Sequence, residues 1–220
     1  NYARYLIKKK EALPLAGNPN IAFDKIEILN KREKKILKKN FYSLREIKNL
    51  DKTIKLTVEV DLDKIISKRK NISGLNFDIP QIMGILNVTP DSFSDGGKFF
   101  KESKAYQQAS LMVKSGATII DIGGESTRPG SITINKIDEW NRIKKIINKL
   151  KEKFKKIPLS LDTRKSYVMK NGITKGVNII NDVSGLNFDK NSFKIINSKK
   201  IPFILHHMQG TTKTMQKNPK

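Results

Sequence analysis

The sequence of 220 residues contains no cysteine, which excludes a disulfide-stabilised scaffold and any cysteine-ligated metal site. It contains no apolar run of about 18 residues, the length that a membrane-spanning helix requires. Residues 1–14 lack the apolar core of a signal peptide, and together with the absence of cysteine this predicts a cytoplasmic protein with no membrane partner. Acidic residues are scarce as well: 21 Asp and Glu accompany 44 Lys and Arg, so the net charge is +23.

The excess of positive charge raises nucleic-acid binding as one hypothesis. The charge is spread along the chain, with 19 basic and 10 acidic residues over positions 1–80 and 25 and 11 over positions 81–220. Lys outnumbers Arg 37 to 7, although Arg is better suited to bidentate contacts with bases and phosphates. Lys, Ile and Asn, whose codons are rich in A and T, together supply 86 residues. Codon bias therefore explains the charge better than a polyanion does, and we expect no specific nucleic-acid partner.

Residues 1–78 are predicted to form an N-terminal α+β extension. Residues 21–29 have the composition of a short strand, and residues 31–49 carry an irregular apolar stripe that predicts a helix. In residues 53–60, apolar side chains alternate with polar ones, which is the period-2 pattern of a half-buried strand. A polar connector at 67–74 precedes the second domain, which is predicted to span residues 79–220.

The second domain contains five short, continuous apolar runs, which are typical of parallel strands covered on both faces. They lie at 82–86, 118–122, 158–161, 177–180 and 202–205. Helical patterns separate them, at 105–113, 137–154, 166–171 and 192–197. This alternation predicts an α/β fold with a parallel sheet, either open or closed into a barrel. Polar residues end every run, and because the carboxyl ends of barrel strands all meet at one face, this favours the barrel.

The polar segments that follow the apolar runs are the candidate functional elements. They are NVTPDSFSDGG at 87–97, DIGGESTRPGS at 121–131, DTRK at 162–165, NDVSG at 181–185 and HHMQG at 206–210. Adjacent histidines on a strand point to opposite faces, which argues against a shared zinc ion and predicts that one of them packs in the core. Amides, carboxylates and backbone donors dominate these segments, a set that suits recognition of a flat heterocycle better than hydrolysis.

Five segments resemble the signature sequences of the dihydropteroate synthase family, in the same order. They are IMGILNVTPDSFSDGG at 82–97, IDIGGESTRPG at 120–130, LSLDTRK at 159–165, IINDVSG at 179–185 and HMQG at 207–210. The resemblance covers residues 79–220 and implies a (β/α)8 TIM barrel. It also implies condensation of p-aminobenzoate with 6-hydroxymethyl-7,8-dihydropterin diphosphate, giving 7,8-dihydropteroate and diphosphate on the route to folate. Mg²⁺ is the implied cofactor, and a homodimer is the implied assembly.

The resemblance also implies roles for residues at the ends of the predicted strands. Asn87 would contact the Mg²⁺ that neutralises the diphosphate. Asp162 and Asn181 would hydrogen-bond the pterin ring, a pairing that suits its N–H donors and ring acceptors.

Two loops carry the remaining implied site residues. Thr127 and Arg128, on the second loop, would bind substrate near the diphosphate and the p-aminobenzoate. Phe93 and Asp95, on the first loop, would help to close the site around the departing methylene. Asp95 and Arg128 are the two implied catalytic residues.

The number of strands departs from the family pattern. Five of the eight β/α units occur here, whereas typical barrels take about 250 residues. The resemblance therefore implies a C-terminally truncated enzyme, which we expect to be inactive and of low stability, with residues 53–60 contributing to a strand pair that closes the barrel bottom. Two rival interpretations remain open: a pterin-binding barrel of the corrinoid methyltransferase type, which gives the NVTPDSFSD loop no role, and a basic nucleic-acid-binding protein.

Overall fold

The structure of the chain, a computed structural model, describes residues 2–32, 35–89, 98–126, 131–208, 210 and 214. The chain divides into two compact units, Asn1–Lys70 and Asn71–Lys220, and the boundary predicted from the sequence lies after residue 78. In the described part of the chain, no helix combines the length and the apolar character needed to cross a bilayer.

The first unit consists of two antiparallel hairpins and short helices. Its elements are α1 (Tyr2–Lys8), β1 (Leu13–Leu15), β2 (Asn18–Phe23), β3 (Lys25–Arg32), β4 (Lys35–Ser43), a 3₁₀ turn (Glu46–Asn49) and α2 (Lys52–Ile66). Strand β1 pairs with β2, and β3 pairs with β4. The β1–β2 turn is formed by Ala16 and Gly17, which both have positive φ, at +52° and +69°. Such a two-residue turn matches the right-handed twist of the strands that it joins.

Two predictions for the first unit were wrong. The helix predicted over residues 31–49 is not formed, because the described residues 25–32 and 35–43 pair as the strands β3 and β4. Residues 53–60 do not form a barrel-capping strand, because they lie inside α2, whose first turn is capped by Asp51 Oδ1 accepting from the Thr53 amide at 3.0 Å. The alternating apolar residues of α2 do not share a buried face: Val58 is buried, whereas Leu56 and Val60 are more than half exposed.

The second unit confirms the predicted alternation of strands and helices. Its strands are β5 (Met83–Asn87), β6 (Ile119–Gly123), β7 (Leu159–Asp162), β8 (Ile179–Asp182) and β9 (Phe203–Leu205). Its helices are α3 (Lys98–Lys114), α4 (Lys136–Lys153), α5 (Ser166–Thr174) and α6 (Ser192–Lys199). The five strands pair in parallel and in chain order, β5-β6-β7-β8-β9. All five carboxyl ends therefore lie at the same edge of the sheet.

The core of the second unit lies between the sheet and its helices, and α4 contributes most to it. This helix begins at Asn135, whose side-chain oxygen accepts from the amides of Ile137 and Asp138 at 2.9 Å, and it buries one apolar stripe. The stripe consists of Ile143, Ile146, Ile147 and Leu150, and it packs in the same cluster as Leu159, Leu161 and Ile180 from the strands. Each of these side chains contributes about 1.5–3 kcal/mol by leaving water. The core thereby holds the carboxyl ends of the central strands in a fixed register.

Candidate active site

Four strand ends place polar or small residues in one row across the sheet. The register pairs Asn87 with Gly123, Gly123 with Asp162, and Asp162 with Asn181. Residues paired in this way in a parallel sheet project to the same face. The predicted metal ligand Asn87 and the predicted ring-binding residues Asp162 and Asn181 are therefore brought together.

Gly123 leaves a gap in the middle of this row. A Cβ atom at Gly123 would lie 3.3 Å from Asn87 Oδ1 and 3.5 Å from Asp162 Oδ2. The amide oxygen and the carboxyl oxygen thus face the same space from opposite sides. A glycine at this position keeps the space open for a ligand.

A chain of hydrogen bonds fixes the amide of Asn181. Asn181 Nδ2 donates to Asp121 Oδ2 at 3.0 Å, and Asn181 Oδ1 lies 2.7 Å from His206 Nε2. Burial raises the pKa of the Asp121 carboxyl, while the hydrogen bond from Asn181 and the nearby His206 act in the opposite direction. Asp121 lies inside β6 and begins the candidate functional segment at 121–131, but no specific role was predicted for it.

The carboxyl group of Asp162 titrates near neutral pH. Its pKa is raised to about 7, first by burial and then by the negative charges of Asp121, Glu139 and Asp182, with Arg164 opposing them. Such a shift is typical of functional sites. Asp162 can therefore accept a hydrogen bond when ionised or donate one when protonated, close to physiological pH.

Four buried charged side chains lie behind the row. Glu125 Oε2 accepts from Arg164 Nη2 at 2.8 Å, and Glu125 Oε1 lies 2.9 Å from Lys165 Nζ. Lys165 Nζ also contacts Glu139 Oε2 at 2.5 Å. The Arg164 guanidinium stacks over the Phe188 ring, 4.2 Å from its centroid. The cluster joins residues near the ends of β6 and β7 to the first turn of α4.

The sequence does not predict this cluster as a unit. Glu125 and Lys165 lie in candidate functional segments, but no spacing rule pairs them across 40 positions. Glu139 belongs to a helix rich in charged residues, where a buried carboxylate has no distinguishing sequence signal. These residues meet because β6 and β7 pair side by side and the first turn of α4 lies close to the segments that follow them.

Asp182, the last residue of β8, holds a loop. Its carboxylate accepts from the amides of Ser184 at 2.8 Å and Leu186 at 3.2 Å, and from the Ser184 hydroxyl at 2.6 Å. Asp182 was predicted to be one of the polar strand ends that form the site. In the structure, the Asp182 carboxylate therefore stabilises the loop that follows β8.

The remaining predicted site residues, Phe93, Asp95, Thr127 and Arg128, lie outside the described residues. Among the residues that the structure describes, no group of three His, Asp or Glu side chains could hold a metal ion. The prediction that one of the paired histidines packs in the core was wrong, because both His206 and His207 are exposed.

Comparison with known proteins identifies the family. The family model described as pterin binding enzyme matches residues 83–220, which include all five parallel strands. This chain belongs to the pterin binding enzyme family. Membership agrees with the open row of hydrogen-bonding side chains, since a pterin presents alternating donors and acceptors along its edge.

Several relatives within the pterin binding enzymes are named dihydropteroate synthase. The protein from Haemophilus influenzae is 42% identical over 149 residues, covering 68% of this chain and 54% of its own length. The Escherichia coli protein is 41% identical over 148 residues, covering 67% of this chain and 52% of its own length. The chain thus spans about half the length of these curated relatives.

Solved structures of dihydropteroate synthases match the same region. The Yersinia pestis enzyme in complex with a sulfonamide drug has a TM-score of 0.60 and 42% identity over 66% of this chain and 52% of that one. The Clostridium difficile enzyme, crystallised with pteroic acid, has a TM-score of 0.57 and 47% identity over 59% of this chain and 49% of that one. These matches confirm the predicted α/β class and identify the parallel sheet as part of a β/α barrel.

Proposed function

We propose that this chain carries the pterin-binding half of a dihydropteroate synthase site. The observation that carries the proposal is the row of Asn87, Gly123, Asp162 and Asn181 at the carboxyl edge of the sheet. Membership of the pterin binding enzyme family and the names of relatives at 41–42% identity support the same activity. The substrates would be p-aminobenzoate and 6-hydroxymethyl-7,8-dihydropterin diphosphate.

Asp162 and Asn181 would recognise the pterin ring. They are register partners on β7 and β8, so their side chains face the ring from neighbouring strands. Ionised Asp162 would accept from ring N–H groups, and the amide of Asn181 would meet a ring group of complementary character. Because the pKa of Asp162 is raised to about 7, a ring donor would also favour the ionised form of the carboxyl on binding.

Asn87 fits a magnesium site that is carried mainly by the substrate. It supplies one neutral oxygen beside the gap at Gly123, and Mg²⁺ often takes one or two protein ligands together with substrate phosphates and water. When bound, the ion would neutralise charge on the departing diphosphate. The implied substrate-binding residues Thr127 and Arg128 would add hydrogen bonds and positive charge at the same group.

The reaction would be a displacement at the methylene carbon of the pterin. The amine of p-aminobenzoate forms the new C–N bond while the C–O bond to diphosphate breaks, and diphosphate leaves with the bonding electron pair. The aryl ammonium group then loses a proton to solvent. Holding the two substrates in register would supply most of the acceleration, because the amine is already a neutral nucleophile. The implied residues Phe93 and Asp95 would exclude water and stabilise positive character at the methylene.

The test measures diphosphate release from the dihydropterin substrate by the protein that carries these five β/α units. We expect release that depends on both p-aminobenzoate and Mg²⁺, and we expect the 220 residues alone to bind the pterin without turnover. The variant Asp162→Ala should lose activity, whereas the matched variant Asp138→Ala, which removes an exposed carboxylate of α4, should keep it. Release that is equal with and without p-aminobenzoate would contradict the proposal.

The assembly and the other partners stay predictions. We propose a homodimer, to be tested by light scattering, and a cytoplasmic location, to be tested by cell fractionation. Filter binding to DNA and RNA across a salt series tests the rival interpretation of the +23 charge. Tight binding with a steep salt dependence, together with no pterin affinity, would favour that rival.

A further inference from the structure

The histidine that follows β9 contacts the amide of Asn181 in the proposed ring-binding row. His206 Nε2 lies 2.7 Å from Asn181 Oδ1, and Asn181 Nδ2 donates to Asp121 Oδ2 at 3.0 Å. A carboxylate only accepts hydrogen bonds, so Asp121 requires the NH₂ group of Asn181 on its side. The oxygen of Asn181 then faces His206, whose Nε2–H is the donor.

The backbone places His206 at this position in two ways. Asn181 is paired in register with Ile204, and His206 lies two residues further along, so its side chain projects to the same side. The loop after β8 also lies against the His206 backbone: Gly185 has a φ of +57°, and a Cβ atom there would lie 2.6 Å from the His206 carbonyl oxygen. The contact between His206 and Asn181 is therefore supported from both strands.

We propose that His206 is a positioning residue that locks the Asn181 amide, so that Asn181 presents an N–H to the ring and keeps its oxygen turned away. This inference rests on the proposed pterin site. One hydrogen of the NH₂ group is used by Asp121, and the second is left for a ligand acceptor. The Asp162 carboxylate would accept a hydrogen bond beside the N–H that Asn181 donates. The row would therefore select a ring whose edge carries an acceptor next to a donor.

The test uses the 220-residue chain and 6-hydroxymethylpterin as the probe, with affinity measured by calorimetry. The variant His206→Leu removes the donor and should weaken binding roughly 5- to 10-fold, the range expected for one lost hydrogen bond. The variant His206→Gln keeps an N–H donor and should restore affinity to within about 2-fold of wild type. Lys199→Leu is the control, because it changes an exposed side chain of α6 outside the candidate functional segments, and it should bind as wild type does.

A second measurement on the free chain keeps the inference separate from the proposed function. Proton exchange of the Asn181 side-chain NH₂ group with water, followed by NMR, should be faster in His206→Leu than in wild type. It should be unchanged in His206→Gln and Lys199→Leu. If wild type does not bind the pterin, the proposed function fails, and the exchange rates alone decide the role of His206.

Three outcomes would overturn the role of His206. The first is equal pterin affinity in wild type and His206→Leu. The second is an equal loss in His206→Leu and His206→Gln, which would assign the effect to side-chain shape. The third is an Asn181 exchange rate that none of the variants changes.

Discussion

Replacing Lys165 with methionine isolates the buried charge cluster behind the candidate site. Methionine keeps most of the side-chain length but removes the charge that lies 2.9 Å from Glu125 Oε1 and 2.5 Å from Glu139 Oε2. The side chains of Lys165, Glu125 and Glu139 are only 8%, 3% and 0% exposed. The variant therefore leaves Glu139, whose Oε1 has no hydrogen-bond partner among the described residues, as a buried and uncompensated charge.

The size of the effect follows from the two contacts. At an effective dielectric constant of about 20, each ion pair is worth about 6 kcal/mol of attraction. Most of this attraction is offset in the comparison with wild type. The variant has no ammonium group to desolvate on folding, and the carboxylates can relax once the ammonium is gone. Removal of one partner of a buried pair costs about 3–5 kcal/mol in practice. We expect the free energy of unfolding at about pH 7 to fall by that amount.

The deficit should shrink in acid. The contacts with Arg164 and Lys165 lower the pKa of Glu125, so its contribution to stability is present above the ordinary carboxyl pKa and is lost as the pH falls through the folded-state value. The difference between wild type and variant should therefore be similar at about pH 7 and about pH 5 and should shrink only below about pH 4.

Urea unfolding followed by tryptophan fluorescence measures this difference. Trp140, the single tryptophan, follows Glu139 on α4 and packs against the core of the second unit, so its emission reports on this unit. Lys170→Met, an exposed lysine of α5, is the matched control and should change stability by less than about 0.5 kcal/mol. A loss below about 1 kcal/mol in Lys165→Met, or a loss that grows in acid, would refute the reasoning.

Three further predictions follow from the same geometry. The pKa of Asp162 is raised to about 7, so the folded state binds this proton more tightly than the unfolded state does. The free energy of unfolding of the wild type should therefore fall by about 2–3 kcal/mol between about pH 5 and pH 8, and Asp162→Asn should abolish this fall. Urea unfolding at both pH values checks this, and parallel curves for the two proteins would contradict it. Gly123→Ala should weaken pterin binding at least 10-fold by calorimetry, at nearly unchanged stability, because its Cβ fills the gap in the row. Gly124→Ala should lower the free energy of unfolding by about 1–3 kcal/mol, because its Cβ would lie 2.9 Å from the Glu139 carbonyl oxygen. Equal stability of the two alanine variants would show that these glycines do not have separate roles.

The parallel sheet could be predicted because its sequence signals are local and agree with one another. Continuous apolar runs such as 82–86 and the long stripe of α4 are each typical of one structure. The first unit could not be predicted in this way. Alternation in residues 53–60 matches a strand, yet Asp51 caps a helix there and only Val58 is buried, so the apolar period carried no information about a buried face.

The candidate site was predictable where a polar residue ends a strand. Asn87, Asp162 and Asn181 were identified in this way, and the register places them side by side. The contact of Asp121 with Asn181 and the Glu125–Lys165–Glu139 contacts were not predicted, because these partners lie far apart in the chain and meet only in the folded structure. No role beside Asn181 was predicted for His206, because its position next to His207 in the sequence does not indicate that contact.

Binding of 6-hydroxymethylpterin to the 220-residue chain, measured by calorimetry with wild type and Asp162→Ala in parallel, tests the central claim most directly. We expect one binding site in wild type and no measurable binding in Asp162→Ala, with the Trp140 unfolding transition of the variant intact. Absence of binding in wild type, or equal affinity in the two proteins, would contradict a pterin site at the carboxyl edge of the sheet.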